Sequence, residues 1–309
     1  MSGAVSLPED APMRDVVSAW ARSLRSRRKS PATIEVYTRA VLEFDRFAVT
    51  NGYPREADKV RRAHLEAFIE DQGTRLAPAT ASVRFTALGV FFKWLLDEQE
   101  IARHPFGGMQ HPKVPETMPK VISNDQVAAL LKACEGPSFR QRRDRAILGI
   151  MVDAGCRRAE VAGMTLDAID LDAQTVRVTG KGSKTRTVFY SAKTGEAIDR
   201  YLRIRDKHRA RGLPNVWLGN NGALTSDGIA EVVRRRSEMA GVLRDDGRPL
   251  HPHLLRHRWA DLAMTNNMPL DSMLELGGWA DTRTALRYGR ARRADRAIEA
   301  ARRLFGETA

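Results

Sequence analysis

The sequence predicts a mainly α protein with one small antiparallel β-sheet, built as a helical bundle followed by a mixed α/β domain. Three observations predict it. Most of the chain repeats apolar residues at three- and four-residue steps, the period of a half-buried helix. One stretch, "TVRVTGKGSKTRTVFY" (175–190), alternates instead around a Gly-Lys-Gly turn. A third stretch, "RHPFGGMQHPKVPETMPK" (103–120), breaks the helical signal with four prolines and two adjacent glycines, the composition of a domain linker. At 309 residues the chain has room for about two domains of roughly 150 residues.

Taken in order, Ser30-Pro31 marks a helix start, with proline in the first turn where its missing N–H does no harm. Ile34, Tyr37, Val41, Phe44 and Ala48 then form one apolar face. "RRAHLEAFIEDQ" repeats the pattern briefly, and "ATASVRFTALGVFFKWLLDEQ" places Val83, Leu88, Phe91, Phe92 and Leu95 on a wide buried stripe. Three or four such helices make a bundle over 1–106, with a linker at 107–120. The second domain, 121–309, opens with Ser123 and Gln126 at capping-box spacing. Val176 and Val178, then Val188 and Tyr190, predict a β-hairpin with lysines at its tip. Helices are expected near 193–208, 226–240, 253–266, 270–276 and 282–289, with a C-terminal helix at 292–304.

The formal charge is +13, and it is uneven. Residues 1–110 hold 16 Lys and Arg against 14 Asp and Glu, and the remainder holds 35 against 24. A polyanion, and nucleic acid first, is the partner this favours. Cys134 and Cys156 lack CxxC spacing and read as buried thiols of a reducing compartment. The N-terminus has acids and prolines where a signal peptide needs a basic run and an apolar block. No apolar run approaches the roughly 18 residues of a membrane span. The expectation is a soluble cytoplasmic protein with no membrane partner.

The stretch that carries chemistry is "HPHLLRHRWAD" (251–261), with three of the seven histidines. Pro252 and the mixed two- and four-residue steps do not converge three rings on a metal, so no metal or cofactor site is expected. Upstream, Arg157 precedes Glu160 by three residues, the spacing of an ion pair. Glycines at the hairpin tip leave Lys181 free to reach, and Trp279 precedes Tyr288 by nine residues.

In this order the residues resemble the tyrosine recombinases, or phage integrases. That family's pattern runs an Arg with an acid three later, a Lys on a β-hairpin, His-x-x-Arg, a His or Trp, then Tyr nine residues on. Arg157 with Glu160, Lys181, His253 with Arg256, Trp279 and Tyr288 fill every slot. Two positions depart from the commoner form, Trp279 for His and "AGCR" for "TGLR". His257 completes the usual "HxxRH" as a supporting residue, and His251 matches nothing catalytic. The resemblance implies a SAM-like core-binding domain, a linker and a catalytic domain, as in the minimal two-domain members of Xer type or simple mobile-element integrases.

It also implies a site-specific recombinase that cleaves double-stranded DNA through a 3′-phosphotyrosine, self-associated on DNA as a tetrameric synapse, without metal or nucleotide. In residue terms, two guanidiniums, Arg157 and Arg256, clamp the non-bridging oxygens. Tyr288 attacks, His253 accepts its proton, Lys181 protonates the leaving oxygen, and Trp279 donates its indole N–H. Glu160 orients Arg157 or a neighbour. Xer-type chromosome-dimer resolution, a type IB topoisomerase-like enzyme and a non-catalytic DNA-binding regulator are the alternatives.

Overall fold

A computed structural model describes residues 12–115, 121–288 and 293–306; the side chains of Lys181 and Leu304 lie outside the described set. The chain forms two compact units, 1–117 and 118–309.

In the first unit, four helices enclose an aromatic core: α1 (Met13–Ser26), α2 (Pro31–Asn51), α3 (Arg62–Arg75) and α4 (Pro78–Asp97). The Ser30 hydroxyl accepts from the Thr33 N–H at 3.1 Å, and Pro31 occupies the first turn of α2. Ile34, Val41, Phe44 and Ala48 turn into the core, while Tyr37 stacks on Trp20 with ring centroids 6.1 Å apart. Phe44 meets Phe68 of α3 edge-on at 5.3 Å, and Phe91 meets Trp20 at 5.0 Å.

Two expectations for α4 are corrected. Val83 is exposed, because at five residues before Leu88 it points well away from the buried stripe. By length and composition α4 is also apolar enough to cross a membrane. Its apolar residues are instead taken up by the bundle, where Leu88, Phe91, Phe92 and Leu95 are buried. The Pro/Gly stretch after α4 partly packs on the same helix. The His104 Nε2 lies 3.2 Å from the Gly89 carbonyl, and the Phe106 ring meets Phe85 edge-on at 4.9 Å.

The second unit begins with α5 (Asn124–Lys132), whose capping box is made: the Gln126 N–H donates to the Ser123 hydroxyl at 3.2 Å, and Gln126 accepts from the Ser123 N–H at 3.0 Å. Helix α6 (Phe139–Ala154) then runs through the core. Its end is fixed by Gly155, at φ +57° in the left-handed region. The Trp259 ring lies so close to Gly155 that no Cβ would fit. Arg157 follows this turn as the cap of α7 (Arg158–Ala162).

The sheet has three antiparallel strands in the order β1 (Ile169–Asp170), β2 (Thr175–Thr179), β3 (Thr185–Phe189). Val176 pairs with Val188 and Val178 with Arg186. Gly182 at φ +76° turns the hairpin. Helices α8 (Ala192–Arg205), α9 (Ser226–Met239), α10 (Pro252–Thr265), α11 (Leu270–Gly277), α12 (Thr282–Tyr288) and α13 (Arg293–Phe305) complete the unit. Positions 289 and 292, expected at helix ends, lie outside the described residues. Arg296 of α13 donates to the buried Asp261 of α10 at 2.8 Å.

Candidate active site

Proline in the first turn of α10 sets the helix, and the four-residue step from His253 to His257 then puts both rings on one face. That face meets Tyr288, the last residue of α12. The Tyr288 hydroxyl lies 3.4 Å from His253 Nε2, and its ring centroid is 4.4 Å from His257 and 5.1 Å from Trp279. A small apolar cluster of Trp259, Ala263, Met273 and Ala285 backs these rings.

Arg256, between the histidines in sequence, points inward and is 2% exposed. Its guanidinium donates to the carbonyls of Gly155, at 2.8 Å, and Gly277, and lies 4.4 Å from the Trp279 ring. A cation over an indole face is favourable electrostatically. Two buried donors here have no partner among the described residues, Arg256 Nε and Trp279 Nε1. Buried donors are usually paired.

Arg157 approaches from the other side. Its Nη1 donates to Glu160 Oε1 at 2.7 Å, its backbone N–H to Glu160 Oε2 at 2.8 Å, and its Nη2 to the Gly278 carbonyl at 2.8 Å. The Arg157 side chain remains 40% exposed while that of Glu160 is 2% exposed. Burial works against the Glu160 carboxylate. Hydrogen bonds from Arg186 and Arg157 outweigh it and hold the group below the usual carboxylate range. A cleft of about 290 Å³ is lined by Cys156, Arg157, Arg158, Pro252, His253 and Arg256, with His251 and Ala230.

Burial first, and neighbouring positive charge second, keep His253 and His257 neutral. His253 keeps an exposed edge, yet burial of the rest of its ring, then the charges of His251, Arg256, Arg287 and Arg157, push it down to about 4. His257 is pushed to about 4 by burial and then by His253, His251, Arg287 and Arg256. At neutral pH the His253 imidazole is therefore a proton acceptor.

Of the residues singled out from sequence, His253, Arg256, His257, Trp279 and Tyr288 are in direct contact, and Arg157 with Glu160 joins them through the Gly277–Gly278 turn. Lys181 begins the hairpin turn, but its side chain lies outside the described residues. Among the described residues no three His, Cys, Asp or Glu side chains are placed to share a metal ion. Sequence reasoning missed Arg186 and set His251 aside. His251 stacks near His253, with ring centroids 6.4 Å apart, and lines the cleft. Arg186 is buried against Glu160. Its signal was legible in principle: position 186 shares the inward face of its strand with Val188, where an apolar residue is the rule.

The profile described as the phage integrase family matches residues 120–294, and that described as the phage integrase N-terminal SAM-like domain matches 17–101. The tyrosine recombinase XerC of Pseudomonas savastanoi pv. phaseolicola is 31% identical over 281 residues, covering 89% of this chain and 91% of its own. Among solved structures, XerH bound to palindromic difH superposes with a TM-score of 0.74 at 19% identity, over 94% of this chain and 84% of that one. The Tn1549 transposon integrase bound to transposon right end DNA gives 0.74 at 15% identity, over 95% and 99%. At such identities the structural likeness shows the fold.

Proposed function

Because the chain belongs to the phage integrase family, we propose that it is a site-specific DNA recombinase that cleaves and rejoins duplex DNA through a covalent 3′-phosphotyrosine. The carrying observation is the Tyr288 hydroxyl, 3.4 Å from the imidazole nitrogen of His253 and walled by Arg256, His257 and Trp279. A phenol is a poor nucleophile until its proton has somewhere to go, and a neutral histidine supplies the acceptor.

In the proposed step the Tyr288 oxygen attacks the scissile phosphorus and its proton passes to His253 Nε2. The bond from phosphorus to the 5′-oxygen breaks, and Lys181 gives that oxygen its proton. Charge gathers on the non-bridging oxygens, where Arg157 and Arg256 stabilise it with donors that never lose their protons. The N–H groups of Arg256 and Trp279 that lack a partner among the described residues are suited to the same oxygens. An arriving phosphate also offsets the positive charges that depress His253, which makes it a stronger base when substrate is bound. The ester to Tyr288 conserves the bond energy, so the reverse attack by a 5′-hydroxyl rejoins the strand without ATP. Glu160 orients Arg157, and His257 supports the tyrosine ring.

The division into a core-binding domain at 1–106, a linker at 107–120 and a catalytic domain at 121–309 belongs to this reading. So does assembly as a tetramer on DNA, for which the outward side of α13, where Ile298 is 53% exposed, offers an apolar contact. A Xer-type housekeeping role is the second reading, favoured by the XerC relative. Mapping where the protein sits on its own genome separates it from mobile-element integration.

A nicked suicide duplex tests the chemistry, since loss of the short strand traps the adduct on a denaturing gel. Tyr288→Phe is expected to abolish the adduct and leave duplex binding nearly intact, because phosphate contacts elsewhere carry the affinity. Adduct that persists in Tyr288→Phe refutes the nucleophile.

A further inference from the structure

The C-terminal end of α11 presents three successive carbonyls, and three arginines take one each. Arg186 Nε donates to Leu276 at 2.8 Å, Arg256 to Gly277, and Arg157 to Gly278 at 2.8 Å. Helix C-termini leave their last carbonyls unpaired and carry partial negative charge, so guanidiniums are well suited to close this one. Two of these three arginines were singled out for the phosphate. Arg186 faces the other way, into the protein, with a side chain 6% exposed.

Arg186 also forms a two-point pair with Glu160, Nη1 to Oε1 at 3.0 Å and Nη2 to Oε2 at 2.8 Å. Each of those oxygens accepts a second bond from Arg157, one from its guanidinium and one from its backbone. The pair is therefore shared, and the plane of Arg186 fixes the plane from which Arg157 is held. Backbone on both sides rests on it. Gly278, at φ +60°, lies so near the Arg186 guanidinium that a Cβ would stand 2.8 Å from Nη1. A Cβ at Gly180, the residue before Lys181, would be 3.3 Å from Glu160 Oε1 and 3.7 Å from Arg186 Nη1.

Resting on the proposed recombinase reading, we infer that Arg186 is a positioning residue that holds the two halves of the site in register. One half is Arg157 with the hairpin that carries Lys181; the other is the Leu276–Trp279 turn that leads through α12 to Tyr288. Arg186 touches no substrate. It acts by fixing where Arg157 points and how far the turn stands from the hairpin. Lysine cannot replace it, because one ammonium cannot span both Glu160 oxygens and the Leu276 carbonyl in a single plane.

The test compares wild type and Arg186→Lys on two suicide duplexes, one ordinary and one with a neutral methylphosphonate at the scissile position. The neutral group needs less from Arg157, since the non-bridging charge it would clamp is gone. Arg186→Lys is expected to form adduct roughly 10- to 100-fold more slowly on ordinary DNA, as for a misplaced catalytic group. On the methylphosphonate its deficit should shrink by about tenfold, while duplex affinity stays within about threefold because remote phosphate contacts dominate it. An equal deficit on both substrates overturns the inference, as does a rate that recovers in step with the folded fraction on cooling. Full activity of Arg186→Lys beside an active wild type overturns it alone. No adduct from wild type on ordinary DNA overturns the recombinase reading and this inference with it.

Discussion

Two buried carboxylates in the second unit gather arginines, and they do so to different ends. Asp144, fully buried in α6, accepts from Arg143 at 2.7 and 3.0 Å, from Arg235 at 2.7 Å and from Arg236 at 2.9 Å. The spare donors of Arg143 and Arg236 end on the carbonyls of Leu218 and Ala133. Arg143 and Arg236 are enclosed while Arg235 keeps 32% of its side chain in solvent, and the cluster joins α5, α6, α9 and the loop before α9. Glu160 is also buried, but one of its arginines, Arg157, keeps 40% of its side chain in solvent and lines the cleft. The same chemistry makes a rivet where two of the three arginines, Arg143 and Arg236, are buried with the carboxylate, and a proposed phosphate clamp where the exposed arginine stands beside His253 and Arg256.

The largest effect that tests this contrast comes from Arg157→Ala against Arg143→Ala. Removing Arg157 should slow adduct formation by about 10²–10³-fold, the cost of one preorganised donor, with a small change in melting temperature because the side chain is partly solvated. Removing Arg143 should do the reverse. If Arg143→Ala is the slower variant per folded molecule, the two clusters are not divided as described.

Much of the second unit was legible because its motifs are local. His253-x-x-Arg256 sits in the first turns of α10, and Trp279, in the turn before α12, precedes Tyr288 by nine residues, so short local spacings bring their side chains together. The Arg157–Glu160 pair was legible for the same reason. The partners of Arg186 and of the Asp144 cluster were not, since they lie 26 and about 90 residues away in sequence and "RQRRDR" reads as a solvated charge run. Helix α6 gave no single apolar stripe to read. Arg143, Asp144, Ala146, Ile147, Leu148, Ile150 and Met151 are all buried, so the central helix of the unit lacks the amphipathic period that marks a surface helix. Strand β1 is two residues long and is defined only by its pairing with β2.

A smaller effect concerns pH. His253 and His257 are both held down to about 4, below the roughly 6.5 of an unfolded histidine. The unfolded chain thus binds protons first as the medium is acidified. Stability from these two sites is complete above about pH 6.5 and is lost progressively towards pH 4, with no further loss below it. The proposed base follows the folded value. The second-order rate of adduct formation, which reports the free protein, should hold level down to about pH 5 and fall only near 4. A fall centred near 6.5 would assign the base to a group with an ordinary pKa and remove His253 from the role.

The smallest expected effect on the chemistry is that of Asp144→Asn, and for that reason it probes the contrast most sharply. Asparagine keeps the shape and removes the charge, which leaves three guanidiniums converging on a neutral amide in the interior. Breaking a buried ion pair on one side costs about 3–5 kcal/mol, so the variant should melt well below wild type. The rate per folded molecule should nevertheless stay within about twofold, as expected for a site that shares no partner with the chemistry. One route could carry the damage further. Helix α6 runs from the Asp144 cluster to Gly155, whose carbonyl accepts from Arg256. If loosening the start of α6 shifts its end, Arg256 moves with it, and Asp144→Asn should slow adduct formation tenfold or more at temperatures where it remains folded. That result would make the Asp144 cluster the far anchor of the Glu160 cluster, with α6 as the rod between them.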